Sequence, residues 1–222
     1  MKTSQGILIV IDGIDGSGKT TQIELLTKYF SEKNIPFEVI NFPRYGENIY
    51  AELVARYLDG EFGSLSEVNP YLISLSYGGD RLLAKPLIEN WISEGKIVIA
   101  NRYISASKAH MGANLEDNKR ENFMRWIDHL EYETNRMPKE DFTILLSVDP
   151  KVGQENVSDS RKPDMHERNL KHLEEAQKIY LELSKAESNW QVIDCMMDGK
   201  MKSKGIIHLE ILNLLKDKVF EH

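Results

Sequence analysis

The sequence predicts an α/β protein: a doubly wound, parallel, five-stranded sheet flanked by helices. Short apolar segments rich in β-branched residues alternate along the chain with longer helical segments, which is the pattern of βαβ units. The apolar residues of the short segments are mostly consecutive rather than alternating. Such runs are typical of strands that are covered on both faces, as in a parallel sheet.

The predicted strands span 7–11, 37–41, 96–100, 142–148 and 191–193. The predicted helices span 20–33, 70–93, 119–135, 165–186 and 203–219, and we expect the second to break near Pro86. In the first helix, Ile23, Leu26 and Phe30 share one face, which is expected to pack on the sheet. Because ligands of such sheets bind at the carboxyl ends of the strands, functional residues are expected there.

Composition and charge exclude several classes of protein. The 222 residues suffice for one domain with its own core, and no repeat or linker divides them. The only cysteine, Cys195, excludes an internal disulfide and a zinc ribbon. A net charge of −7, from 28 basic and 35 acidic residues, argues against nucleic-acid binding. No apolar run is long enough to span a membrane, and we expect a cytoplasmic protein.

A phosphate-binding motif follows the first predicted strand. Residues 13–20 read G-x-x-x-x-G-K-T and lead directly into the first predicted helix. Glycines let such a loop wrap closely, so that backbone N–H groups and the helix N-terminus converge on a polyphosphate. Lys19 adds a full positive charge, and the Thr20 hydroxyl suits Mg²⁺. The predicted ATP- and phosphate-binding residues are Gly13, Ile14, Asp15, Gly16, Ser17, Gly18, Lys19, Thr20 and Thr21.

Four further segments narrow the reaction, because ATPases, GTPases and kinases share the P-loop. They read F-P-R-Y-G at 42–46, Y-G-G-D-R at 77–81, N-R-Y at 101–103 and D-M-H-E-R at 164–168. Together with the P-loop, over residues 6–216, they resemble the thymidylate kinase family of P-loop nucleoside monophosphate kinases, specifically its longer bacterial branch. The resemblance implies a P-loop NTPase fold with a lid. It also implies transfer of the γ-phosphoryl group of ATP to dTMP, giving dTDP and ADP in pyrimidine deoxynucleotide biosynthesis.

The resemblance assigns roles to individual side chains. Arg44 and Arg102 would grip the acceptor phosphate or the transferring phosphoryl group. Tyr77 and Arg81, one helical turn apart, would form a pyrimidine pocket; core packing of Tyr77 and a surface ion pair of Arg81 are the alternatives. The implied dTMP-binding residues are Asp15, Phe42, Arg44, Tyr45, Tyr77, Arg81, Arg102, Ser107, His110 and Glu167. The implied catalytic residues are Lys19, Arg44, Arg102, Arg161 and Asp15, and the implied Mg²⁺ ligands are Thr20, Asp15 and Glu167.

Residues 151–163 form a polar stretch without apolar periodicity, which we interpret as the lid of a single kinase domain spanning residues 1–222. Some members of the family carry an arginine in the P-loop where this chain has Gly16, so the catalytic positive charge must come from elsewhere. Arg161 is the best-spaced candidate, ahead of Lys162 and Arg168. A closing lid would bring it in and expel water. The alternative is a solvated run of charges.

Asn101 is the clearest departure from the family pattern, which has an aspartate there. Lys108 and Met111 also depart from it. Two alternatives therefore stay open: a kinase of the same fold for another deoxynucleoside monophosphate, and a weak or non-catalytic nucleotide-binding regulator. The expected partners are small-molecule nucleotides and a second copy of the chain, with neither nucleic acid nor membrane. The two copies would pair through the predicted helix at 70–93, 103–113 or 119–135.

Overall fold

Five parallel strands form the sheet, in the order β2–β3–β1–β4–β5. The structure is a computed structural model that describes residues 6–160 and 162–216. The strands are β1 Ile7–Asp12, β2 Phe37–Asn41, β3 Ile97–Asn101, β4 Phe142–Ser147 and β5 Trp190–Asp194, followed by a small hairpin of β6 Met196–Met197 and β7 Lys200–Met201. The helices are α1 Lys19–Glu32, α2 Ile49–Leu58, α3 Pro70–Ser93, α4 Ile104–Gly112, α5 Asp117–Asp128, α6 Pro150–Ser160, α7 Leu170–Ala186 and α8 Lys204–Leu215. A π-helical turn, His129–Thr134, continues α5.

The alternation of side chains along β1 divides the core into two layers. Ile9 and Ile11 pack with residues of α1 and α8 on one face of the sheet. Leu8 and Val10 pack with residues of α2, α3, α4 and α5 on the other face. Helices therefore cover both faces of the sheet, which explains why the strand residues are apolar on consecutive positions.

The predicted fold class and the five predicted strands are confirmed, whereas several helix predictions need correction. The expected break at Pro86 is wrong: α3 runs through it, because Pro86 lies on the exposed side, where water can bond the carbonyl group that the proline leaves free. The fourth predicted helix begins later, at Leu170, where the Asn169 side chain caps it by accepting from the His172 N–H group. Helices α2 and α6 were not predicted. The end of the last predicted helix, 217–219, lies outside the described residues.

Close helix packing explains the paired glycines of α3. A Cβ atom on Gly79 would lie 2.6 Å from the Tyr50 ring of α2, and one on Gly78 would lie 3.0 Å from a carboxylate oxygen of Glu131. The glycines thus let α2 and the π-helical turn approach α3. Within 6–160 and 162–216, no helix is long and apolar enough to cross a membrane.

Candidate active site

A cavity of about 840 Å³ lies where β1, β2 and β3 end. Its wall includes residues of the P-loop after β1, of the segments after β2 and β3, and of helices α3, α4 and α6. Most of the residues predicted from the sequence border it: Asp15, Gly16, Gly18, Lys19, Thr20, Thr21, Phe42, Tyr45, Tyr77, Arg81, Arg102, Ser107, His110 and Glu167. The phosphate motif and the segments predicted to form a pyrimidine pocket are distant in the sequence but share one cavity.

The P-loop residues that do not border the cavity have structural positions. Ile14 and Ser17 are fully buried, and Ile14 packs against Leu145 and Val148 of the core. Gly13 has φ of 141°, and a Cβ atom there would lie 2.5 Å from the Leu146 carbonyl oxygen. Only glycine fits this turn. These residues shape the loop, and any contact that they make with a phosphate comes from their backbone.

Lys19 is held inside the P-loop. Its Nζ donates to the carbonyl oxygens of Gly13 and Ile14, at 3.0 and 2.8 Å. Burial, together with the nearby Arg102 guanidinium, lowers the pKa of Lys19 to about 7. An anion bound in the loop would raise this pKa again, because it stabilises the ammonium form.

Arg102 connects the P-loop to the rest of the cavity. Its Nη2 donates to the Asp15 carboxylate at 2.6 Å, and its Nη1 donates to His110 Nε2 at 2.9 Å and to the Gly13 carbonyl oxygen at 3.3 Å. The backbone of Arg102 is left-handed, with φ of 65°, and its N–H group donates to the Ile11 carbonyl oxygen. This conformation is uncommon for a residue with a side chain, and such strain is concentrated at functional sites.

The Asp15 carboxyl is held as an anion. Burial alone would raise its pKa, but the neighbouring Arg102 and Lys19 cations hold the pKa of Asp15 well below its ordinary value. Burial raises the pKa of the Asp164 carboxyl, which also borders the cavity, to about 6. The cavity therefore presents a fixed charge pair at the P-loop and, at Asp164, a carboxyl group that titrates close to neutral pH.

Arg81 is buried in the wall of the cavity, so the alternative of a surface ion pair is wrong. It donates to the Glu131 carboxylate, to Ser107 Oγ at 2.8 Å and to the Tyr103 carbonyl oxygen at 3.3 Å. Tyr77, on the same face of α3, also borders the cavity. This corner thus combines aromatic rings with a fixed cation and a hydroxyl group, the chemistry that a pyrimidine base requires.

Arg44 does not border the cavity, although it was predicted to contact the acceptor. Its Nε donates to an Asp80 carboxylate oxygen at 2.9 Å, its Nη2 donates to the Asp80 carbonyl oxygen, and its Nη1 lies 3.1 Å from Glu47. Asp80 also accepts from the Arg44 backbone N–H group and from Asn48. These contacts hold the Phe42–Tyr45 segment against α3.

The segment predicted as the lid contains a helix that packs on the P-loop. A Cβ atom on Gly16 would lie 2.0 Å from the Gly153 carbonyl oxygen, and Asn156 Nδ2 donates to the Gly16 carbonyl oxygen at 3.0 Å. Position 16 therefore has no room for an arginine side chain, which the resemblance gives to some members of the family. Arg161 lies outside the described residues, so its catalytic role stays a prediction. Lys162 is exposed.

Oxygen atoms suited to Mg²⁺ border the cavity near the P-loop. The three predicted ligands, Thr20, Asp15 and Glu167, all lie in its wall. Asn101 also borders it, with Nδ2 donating to Asn41 Oδ1 at 3.0 Å. Within the described part of the chain, Asn101 Oδ1 is buried without a hydrogen-bond partner. Carboxylate, hydroxyl and amide oxygens are what Mg²⁺ prefers, so these residues fit the ion.

Several residues of the wall were not predicted as site residues. They include Asn41, Asn156, Asp164, His166, Met201, Lys202 and Lys204. Asp164 and His166 belong to the D-M-H-E-R segment, so a signal for them was present. Met201 comes from the hairpin after β5, and its Cε would lie 3.1 Å from a Cβ atom on Gly18. Nothing in the sequence pattern around 196–204 indicates this approach.

Comparison with known proteins identifies the family. The family model of thymidylate kinases matches residues 11–200. The chain is 29% identical over 184 residues to a thymidylate kinase of Mycobacterium tuberculosis, covering 80% of this chain and 86% of that protein. It is 32% identical over 195 residues to a probable thymidylate kinase of Pyrobaculum aerophilum, with coverage of 84% and 86%. Over 224 residues it is 27% identical to the human thymidylate kinase, with coverage of 99% and 94%.

The fold agrees with this match. A solved structure of a thymidylate kinase from Candida albicans superposes with a TM-score of 0.75, covering 96% of this chain and 92% of that chain at 20% identity. At this level of identity the likeness speaks for the fold, and the family rests on the sequence match. The chain belongs to the thymidylate kinase family.

Proposed function

We propose that this protein transfers the γ-phosphoryl group of ATP to dTMP, giving dTDP and ADP. The single observation that carries the proposal is the position of Arg102. Its guanidinium is held between Asp15 of the P-loop and His110, at 2.6 and 2.9 Å, in the cavity that Arg81 also borders. A cation at that point faces both a phosphoryl donor in the P-loop and a monophosphate acceptor beside it.

The donor half of the site is the P-loop. Its backbone N–H groups and the N-terminus of α1 are suited to the triphosphate, and Lys19 would supply a full positive charge to the β and γ oxygens. Thr20, Asp15 and Glu167 would hold Mg²⁺, with Asn101 Oδ1 as a further oxygen. When bound, Mg²⁺ neutralises charge on the transferring phosphoryl group.

The acceptor half lies between Arg102 and Arg81. Arg102 would bind the 5′-phosphate of dTMP through charge-assisted hydrogen bonds. The base would lie against Tyr77 and Phe42, within reach of Arg81 and Ser107. Because the acceptor phosphate is already ionised, no general base is required, and catalysis consists of alignment and electrostatic stabilisation. Arg44 would act indirectly, through the segment that it anchors.

The lid, residues 151–163, would complete the site within one kinase domain. Helix α6 already covers the P-loop through Gly153 and Asn156. A lid in this position excludes water, which otherwise hydrolyses ATP. Arg161 follows α6 directly, and we propose that it supplies the positive charge that Gly16 cannot carry.

An acceptor panel tests the proposed reaction. ADP formation from ATP and Mg²⁺ is measured with dTMP, dUMP, dCMP and dGMP in turn, and dTMP is expected to give the highest kcat/KM. A different best acceptor would support the second reading, a kinase for another deoxynucleotide. Binding of dTMP without turnover would support the third, a regulator with Asn101 in place of the family aspartate. The three relatives described above, two named thymidylate kinase and one probable thymidylate kinase, favour the first reading.

We also propose a homodimer that pairs through α3. Five leucines of this helix are exposed: Leu72, Leu75, Leu82, Leu83 and Leu87. Their spacing places an apolar stripe along this 24-residue helix. In a two-fold symmetric dimer, the stripes of the two copies would pack against each other and be buried. Sedimentation velocity is expected to show a dimer for the native chain and a monomer for the Leu75→Glu/Leu82→Glu variant. A monomeric native chain would contradict the proposal. A cytoplasmic location stays a prediction.

A further inference from the structure

Three buried histidines lie together at the edge of the cavity. His110, His166 and His172 place ring nitrogens within 4.8 Å of one another. His110 and His166 border the cavity, whereas His172, on α7, does not. The rings of His110 and His166 are stacked, with centroids 5.7 Å apart. Burial lowers the pKa of His172 to about 4 and holds the pKa values of the other two well below their ordinary value. All three are therefore neutral at pH 7.

The hydrogen-bond partner of His110 fixes its tautomer. Nη1 of Arg102 lies 2.9 Å from His110 Nε2. A guanidinium group has only donors, so His110 Nε2 accepts and must be unprotonated. A neutral imidazole with a bare Nε2 carries its hydrogen on Nδ1.

The partner of His172 fixes its tautomer independently. His172 Nδ1 lies 2.9 Å from Asn114 Oδ1, and this carbonyl oxygen only accepts, so the hydrogen of His172 is on Nδ1. Its Nε2 is consequently bare, and it lies 3.4 Å from His110 Nδ1. The N–H group at His110 Nδ1, deduced from the contact with Arg102, thus points at the lone pair of His172 Nε2, deduced from the contact with Asn114. The two independent deductions are consistent.

The hydrogen-bond partner of His166 fixes its acceptor atom in the same way, and the complete set of bonds argues against a metal ion among the three histidines. Asn114 Nδ2 donates to Tyr57 Oη at 3.5 Å, which leaves the Tyr57 hydroxyl hydrogen for His166 Nε2 at 3.0 Å. Each of the three imidazole lone pairs then faces a donor, among the residues that the structure describes. A metal would have to break one of these bonds, so the cluster is explained as a hydrogen-bonded chain that leads from Arg102 through His110 and His172 to Asn114.

We propose that His172 and Asn114 are positioning residues for Arg102. They hold His110 as the Nδ1–H tautomer, and this tautomer presents its Nε2 lone pair to the guanidinium. The opposite tautomer would aim an N–H group at the cation from 2.9 Å and push it from its place. The functional consequence rests on the proposed role of Arg102 in binding the acceptor phosphate, whereas the tautomer itself does not depend on that role.

Two substitutions of His172 distinguish its role in positioning Arg102 from a role in core packing alone. His172→Leu fills a similar volume but offers no acceptor to His110, whereas His172→Gln can place an amide oxygen close to the position of Nε2. We expect His172→Leu to raise the KM for dTMP about tenfold, the effect of one lost hydrogen bond to a charged group, with the KM for ATP unchanged. His172→Gln should recover most of the dTMP affinity. His129→Leu, at an exposed histidine, is the matched control.

Long-range ¹H–¹⁵N spectra of ¹⁵N-histidine protein read the tautomer directly. His110, assigned by comparison with His110→Phe, is expected as Nδ1–H in the native chain and in His172→Gln, and as a mixture of tautomers in His172→Leu. If His172→Leu fails to fold, Asn114→Ala removes the other acceptor of the chain and is expected to act in the same direction.

The proposal is overturned if His110 is found as the Nε2–H tautomer in the native chain. It is also overturned if His172→Leu and His172→Gln lose equal dTMP affinity. A native chain without dTMP turnover but with His110 as Nδ1–H would instead contradict the proposed function, and it would leave the hydrogen-bonded chain standing.

Discussion

The backbone of Gly16 in the P-loop packs directly on the backbone of Gly153 in α6. A Cβ atom on Gly16 would lie 2.0 Å from the Gly153 carbonyl oxygen, and one on Gly153 would lie 2.7 Å from the Asp15 carbonyl oxygen. Two glycines from segments far apart in the sequence thus let the lid helix rest on the phosphate loop. The contact also leaves no room for an arginine side chain at position 16.

Gly16→Ala is expected to weaken ATP binding by displacing α6. Gly16 has φ of 74° and Gly60 has φ of 85°, so an alanine at either position costs about 1–2 kcal/mol of conformational strain. Gly60 has no atom within 4 Å of its Cβ direction, which makes Gly60→Ala the matched control. Both variants should lose similar stability from strain, but only Gly16→Ala should raise the KM for ATP. An equal KM for ATP in the two variants would show that α6 does not contribute to donor binding.

ATP binding is expected to take up a proton at Lys19. Because the pKa of Lys19 is about 7 in the free protein, its ammonium is mostly deprotonated at pH 8. A bound triphosphate stabilises the charged form, so the complex should gain close to one proton at pH 8 and about half a proton at pH 7. Calorimetric titration with ATP in buffers of different ionisation enthalpy measures this number. Lys19→Met should abolish the proton uptake. If this variant takes up the same number of protons, the group that is protonated on ATP binding is not Lys19.

Substitutions of the buried ion pair Arg81–Glu131 can distinguish its contribution to folding stability from its contribution to dTMP binding. Glu131→Leu leaves the Arg81 cation buried without a counter-charge, and we expect it to cost about 3–5 kcal/mol of unfolding free energy. The double variant Arg81→Met/Glu131→Leu removes both charges and should recover most of that loss in urea titrations. Its KM for dTMP should nevertheless rise at least tenfold, because the base loses its donor. Native-like dTMP affinity in the stable double variant would refute the role of Arg81.

Restoring the family aspartate at position 101 is expected to strengthen the dependence on Mg²⁺. The buried Oδ1 of Asn101 borders the cavity, and Asn101→Asp adds a negative charge at that point. We expect a higher kcat or a lower Mg²⁺ concentration at half-maximal rate, measured at saturating ATP and dTMP. Asn101→Ala, which removes the oxygen, should shift both quantities in the opposite direction. No change in the Asp variant would mean that Asp15 and Glu167 suffice for the ion.

The strands and the P-loop could be predicted because their signals are local. The apolar run of β1, the glycines and Lys19 follow one another within residues 7–20. Helix α2 could also have been predicted, since Ala51, Val54, Tyr57 and Leu58 recur at helical spacing after the Asn48 cap and are all buried. Helix α6 carries only two apolar side chains, Val152 and Val157, so its sequence shows no face to bury.

Long-range contacts limit what the sequence reveals about the site. The partner of Arg81 is Glu131, 50 residues away in a π-helical turn, and the partner of Arg44 is Asp80, 36 residues away. The motifs therefore predict which residues belong to the site, whereas the structure shows which of them border the cavity and which lie behind its wall. The glycine pair of α3 illustrates the same point, because Gly78 packs against Glu131 and Gly79 packs against Tyr50, both distant in the sequence.

A crystal structure with dTMP and a non-hydrolysable ATP analogue bound together tests directly whether this cavity holds both nucleotides. We predict that the dTMP phosphate contacts Arg102, that its base contacts Arg81, and that the triphosphate lies in the P-loop beside Lys19. A cavity that stays closed by its own side chains when the donor is bound, or a dTMP molecule bound away from both arginines, would contradict this arrangement.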